Sequence, residues 1–202
     1  MYEVGQFIVH PGQGVCRVDA IVEEPIAVYM LLPIGSRQPM KISFPVASSD
    51  KLRPVIEKDE AYMLIERYPD MQIVEYQGRS NALEEEHFKR EIRNGTCENT
   101  MRIVKTFRSR IEETRAHNRK PPVVYERILK QASQRSLEEL SCALGLPVDE
   151  VLLLFEKSEG DDQNYGTASL LLASGRAAYH RQGMRLSSIS GAVVLFRWLK
   201  PL

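Results

Sequence analysis

Cysteines are few in this chain, long apolar runs are missing, and neither sign of charge dominates. Three cysteines stand among 202 residues, at Cys16, Cys97 and Cys142, far apart and without CxxC spacing. An odd, scattered set excludes a disulfide framework and a structural zinc site, and predicts a reduced compartment with the thiols as small core residues. No run of about 18 apolar residues occurs, so no transmembrane helix is expected. The opening MYEVGQFIVH carries neither a basic n-region nor an apolar h-region. No signal peptide is therefore predicted, and a cytoplasmic location follows. Lys+Arg and Asp+Glu both number 27, for zero net charge. At first sight that balance argues against nucleic acid.

Enzyme signatures are missing as well. The chain has no GxxxxGK[ST], no GxGxxG after a strand, no HExxH and no GxSxG. His10 precedes Pro11 and reads as a turn residue, while His87 and His117 lack metal-ligand spacing. Glu84 to Glu86 read as a solvated helix start favoured by the helix dipole rather than an acid/base cluster. The expectation is a protein that is not an enzyme and needs no metal or cofactor.

What the chain does contain is a hydrophobic fraction of 43%, enough for a core, and a sequence whose period changes midway. Short β-rich runs cover Phe7 to Val9, Val15 to Val22, Val28 to Leu32, Met40 to Val46 and Leu52 to Val55. Gly and Pro punctuate them at residues 11–14 and 35–39. Such spacing predicts a small barrel of the SH3 or Tudor kind. From Glu57 the apolar period becomes helical. Helices are predicted over Glu57 to Arg67, from about Asn81 to Arg93 with an Asn81/Glu84 capping box, from Thr96 towards Asn118, over Val123 to Leu144, and from Pro147 to about Lys157. The fold class is thus α+β multidomain, a small Tudor/SH3-like β-barrel followed by an all-α helical domain. The expected units are residues 1–77, 78–158 and a tail, 159–202, read as an extra helix, a poorly ordered extension or an aberrant C-terminus.

Charge is unevenly spread. Residues 1–77 hold 7 basic and 11 acidic residues, whereas residues 163–202 hold 5 basic and none acidic. Between Lys89 and Arg135 stand 13 basic and 5 acidic residues. Arg102, Lys105, Arg108, Arg110, Arg115, Arg119 and Lys120 share one predicted helix and its loop. Such a band can neutralise phosphates without reading sequence. It can equally be a solvated face balanced by neighbouring helices. Ser136 to Val151 reads like a helix-turn-helix, but its second helix offers Asp149 and Glu150 where a DNA reader needs polar and basic groups.

The run Val4 to Val18, VGQFIVHPGQGVCRV, resembles the opening of the CarD/CdnL/TRCF family. Tyr29 to Pro33, Ser43 to Val46, Leu52 to Val55, Gly95, Ile103 to Phe107 and Glu138 to Ala143 extend the likeness over about residues 1–157. The lack of nucleotide motifs makes a stand-alone CarD-like regulator the nearer match than the large coupling-factor ATPase. The resemblance implies a bacterial transcription regulator whose barrel binds the RNA polymerase β subunit strand to strand. The strand concerned is Lys41, Ile42, Ser43, Phe44 and Pro45. It further implies a helical domain that contacts promoter DNA and stabilises the open complex, here through Arg79, Lys89, Arg90, Lys105, Arg108, Arg115, Arg119 and Lys120. Two departures stand out. Ser43 occupies a place near which well-known members carry Arg, with Lys41 on the same strand face as a substitute. Asn81 stands where those members place a Trp that wedges into the minor groove. An alternative is a polymerase-binding protein-interaction module whose helical domain does not engage DNA. The expected partners are the polymerase β subunit and promoter DNA, with no membrane, and the expected state is a monomer.

Overall fold

The computed structural model describes residues 1–23, 25–35 and 40–158. The predicted tail, 159–202, lies outside the described residues. Five strands form one antiparallel sheet: β1 (Phe7–His10), β2 (Gly14–Val22), β3 (Val28–Pro33), β4 (Ile42–Pro45) and β5 (Arg53–Pro54), in the order β4-β3-β2-β1-β5. Period-two alternation puts Ile8, Cys16, Val18, Tyr29 and Leu31 on one face, where they bury completely, with Leu52 beside them and Ile42 and Phe44 packed at the margin.

The expected closed barrel is replaced by an open sheet. β4 and β5 lie at opposite edges, and a 3-10 segment, Val46–Lys51, spans the distance between them. Those edge strands hold only four and two residues. Pro45 and Pro54 also lack the N–H groups that a closing ladder needs.

The β1–β2 turn is tied internally. The His10 Nδ1 accepts the Gly12 N–H at 3.0 Å and the Gln13 N–H at 3.2 Å. An acceptor at Nδ1 requires the neutral ring. Gly14 then resumes the strand at φ +90°, a left-handed value that a side chain would resist.

Five helices follow: α1 (Lys58–Glu66), α2 (Asn81–Asn94), α3 (Cys97–Ala116), α4 (Val123–Leu144) and α5 (Val148–Ser158). Thr96 caps α3 as the sequence predicts, its hydroxyl accepting the Asn99 N–H, and Gly145 ends α4 at φ +66°. The α2 cap sits one residue earlier than predicted. Ser80, not Asn81, accepts the Leu83 N–H. Of the apolar positions read from period on α3 and α4, Met101, Val104, Phe107, Ile111, Ile128, Leu129, Ala132, Leu137 and Leu140 are buried in the core, while Ala143 is only half-buried at its margin. Ala61, Leu64 and Ile65 of α1 bury in this same helical core. By packing, α1 thus sides with the helices rather than with the sheet.

The two units meet along α4. Arg53 of β5 makes a two-armed ion pair with Glu139, one arm being Nη2 to Oε2 at 2.7 Å. Glu139 is 2% exposed. One turn back, Arg135 Nη2 donates to the His10 and Pro11 carbonyls, each at 2.7 Å. Burial pushes the Glu138 carboxyl above its ordinary range, against the opposing pull of Gln134 and Arg135. Burial also pulls His10 below the usual imidazole range, helped by the positive charge of Arg135.

Two outcomes are expected. Phe107 is fully buried, edge-on to Phe88 at 4.8 Å and to Tyr125 at 5.3 Å. Phe107→Ala should cost about 3–5 kcal/mol in urea unfolding followed by circular dichroism; a loss under about 1 kcal/mol would contradict this packing. The depressed His10 pKa contributes stability that is full above the unfolded-state value and is lost as pH falls through the lower folded value. Glu138, with a raised pKa, works in the opposite sense. His10→Asn keeps a side-chain acceptor that does not titrate, so its melting temperature should fall less than the wild type's on acidification below about pH 6. Parallel declines would show that His10 is not responsible.

Candidate functional site

Two surfaces carry the candidate residues, the β4 edge and the cations of the helical unit. β4 pairs with β3 in the register Tyr29↔Phe44, Met30↔Ser43 and Leu31↔Ile42, and nothing among the described residues pairs with its other side. The Val46 N–H donates to the Ala27 carbonyl at 2.9 Å. Polar groups alternate along an antiparallel strand, so those of Phe44 and Ile42 also point toward β3, and those of Lys41, Ser43 and Pro45 point outward. Pro45 has only a carbonyl to offer there. The side chains follow the same alternation, with Ile42 and Phe44 turned to the core and Lys41, Ser43 and Pro45 exposed.

Phe44 also packs edge-on to His10, with ring centroids 5.2 Å apart, which links the edge to the β1–β2 turn. Lys41 pairs with Asp19 at 2.6 Å, and Arg17 reaches the same carboxylate at 3.3 Å. Lys41 lowers the Asp19 pKa through a hydrogen bond and its charge, with a smaller part from Arg17. The positive charge expected of Lys41 is thus shared with a neighbouring carboxylate on the same face.

Part of the basic band of α3 is engaged by the chain's own backbone. Residues 69–78 run without regular structure beyond a 3-10 turn at Tyr68–Asp70, so their carbonyls need donors. α3 supplies them. Arg102 Nε donates to the Gln72 carbonyl at 3.1 Å, and Lys105 Nζ donates to those of Tyr68 and Pro69. Arg110 donates to the carbonyls of Val74 and Tyr76 at 3.2 and 2.6 Å. It also pairs with Glu84 at 2.6 Å and lies 5.2 Å from the Phe107 ring centroid.

Glu84 therefore departs from the expected solvated helix start, being 2% exposed. A Cβ on Gly78 would come within 2.8 Å of the Glu84 backbone N, so the connecting segment passes tightly over α2.

The remaining candidates fall into two groups. Arg115, Arg119 and Lys120 are exposed at the α3–α4 tip, Arg115 lying 3.5 Å from Glu126. Arg79 is exposed just before Ser80, and Lys89 and Arg90 are exposed on α2, Lys89 pairing with Glu85 at 2.8 Å. Arg108 is half-buried. Sequence reading left Arg93, Arg127 and Lys130 unnominated, yet all three are exposed on α2 and α4. For Arg93 the available signal was its i, i+3 and i, i+4 spacing from Arg90 and Lys89 on α2; Arg127 and Lys130 lie on α4, where Arg127 reaches Glu85 of α2 at 2.8 Å. Beside them an open cleft of about 430 Å³ runs between the β1–β2 turn and α4, lined by Gln13, Arg93, Gln131, Gln134, Arg135 and Glu138. Its mixed charge gives it no clear ligand chemistry.

No helix among the described residues is long and apolar enough to cross a membrane. No curated protein matches the chain. The family model of the CarD-like/TRCF RID domain matches residues 2–56, a span that runs from before β1 to just past β5. The sheet-bearing N-terminal unit of this chain is therefore similar to the CarD-like/TRCF RID domain, a likeness that covers 55 of the 202 residues.

Proposed function

We propose that this chain is a non-catalytic, CarD-like bacterial transcription regulator that acts as a monomer in the cytoplasm. It binds the RNA polymerase β subunit through the β4 edge and modulates promoter open-complex stability through its helical unit. The observation that carries the reading is an unpaired edge strand, Ile42–Pro45, inside the matched span. A partner strand added there gains main-chain hydrogen bonds, while side chains such as Lys41 tune affinity. DNA contact is assigned to the α3–α4 tip, Arg115, Arg119 and Lys120, and to Arg79, Lys89 and Arg90. These groups can bind phosphates without reading bases. Lys105 and Arg108 are the weaker members of the set, because Lys105 already serves main-chain carbonyls and Arg108 is half-buried.

One observation favours the second reading, a helical unit that binds protein instead of DNA. The start of α2 exposes Leu83 and a Tyr76–His87 stack with centroids 3.6 Å apart, and Glu86 is exposed beside them. That surface is apolar and acidic, where phosphate contact needs cations.

Ser43→Pro removes the outward N–H and leaves the β3–β4 ladder bonds in place. Capture of the polymerase β subunit should weaken about tenfold, near 1.4 kcal/mol; unchanged capture would reject the edge assignment. Replacing both Arg119 and Lys120 with Ala should shorten open-complex lifetime and lower the salt slope of DNA binding by about 1–2. Polymerase binding by the wild type with no change in lifetime would select the protein-binding reading instead.

A further inference from the structure

The contact between the sheet and the helices is polar and directional. Arg53 and Glu139 stand 86 residues apart in sequence and meet through both guanidinium arms. Glu139 is buried, and the Arg53 side chain is 29% exposed. Burial opposes charge on Arg53, but the hydrogen bonds and charge of Glu139 outweigh it and hold the guanidinium protonated. Arg135 grips two consecutive carbonyls of the β1–β2 turn.

Close approach accompanies these bonds. A Cβ on Gly14 would fall 2.6 Å from Arg135 Nη1, and one on Gly35 would overlap the Glu138 carboxylate. Val9 and Val15 are buried as well, outside the two hydrophobic clusters. An apolar contact tolerates sliding. A two-armed buried ion pair does not, because a small rotation leaves a charge buried and unmatched.

We propose that Arg53 and Glu139 are positioning residues that hold the helical unit at one angle to the sheet. Whatever docks on β4 then also fixes where the α3–α4 tip points. The consequence for open complexes rests on the functional reading above; the rigidity itself does not.

The test separates the two. Spin labels go on Lys51→Cys and His117→Cys, both exposed sites, in a Cys142→Ser background where Cys16 and Cys97 are buried. The full chain should give one narrow distance distribution by double electron–electron resonance. Glu139→Gln alone leaves Arg53 unmatched and can unfold the chain. The deciding variant is therefore the charge-free pair Arg53→Met with Glu139→Leu, which keeps the volume and is expected to fold. That variant should melt cooperatively and at least double the width of the distribution. A width equal to the wild type's would overturn the proposal.

Without labels, the same double variant should capture the β subunit as the wild type does and lose most of the lifetime effect. A retained effect would overturn the link from angle to function. A wild type with no effect on lifetime would strike the functional reading only, and the distance measurement would still decide the clamp.

Discussion

A carboxylate buried to 2% exposure needs a matched cation, and the Arg53–Glu139 pair meets that need across the two halves of the molecule. Much of the arrangement follows from it. β5 has only two residues, too few to define an orientation by strand pairing alone. The guanidinium of Arg53 supplies the missing constraint and ties the sheet margin to the C-terminal third of α4. Arg135 then draws the β1–β2 turn toward the same helix, and glycines at positions 14 and 35 let the backbone come close enough. His10, whose ring holds that turn and touches Phe44, carries the arrangement through to the opposite edge strand.

Local signals made much of this legible. α4 runs Val123–Leu144, as read from Pro121 and Pro122 before it, Gly145 after it and its apolar period. The β runs were visible from alternation and from the Gly and Pro between them. Closure of the sheet was not, because it depends on whether distant edges meet. Ser80 replaced Asn81 as the cap because both residues suit that place and the choice turns on how the preceding segment approaches. The family likeness drew attention to the β4 edge, but only the register with β3 shows which of its residues face outward.

The cations of α3 show why charge counts mislead. A run of Arg and Lys near a domain of ordinary charge invites a polyanion. Here Arg102, Lys105 and Arg110 hold down the irregular stretch between α1 and α2 by donating to its carbonyls. Glu84 completes that arrangement from the α2 side. The zero net charge of the chain is therefore a sum of internal bonds and free groups. Among the described residues the exposed cations gather at the α3–α4 tip and on the α2 and α4 faces, several of them in surface ion pairs with Glu85 and Glu126.

Pro45 on the outer side of β4 has a consequence for solubility. An unpaired strand edge invites a second copy of the same chain as readily as a partner. Along β4 the outward donors are those of Lys41 and Ser43, and the ladder stops at the proline ring. Two copies laid edge to edge would find too few bonds to persist. A short edge that ends in proline thus disfavours propagation into a filament.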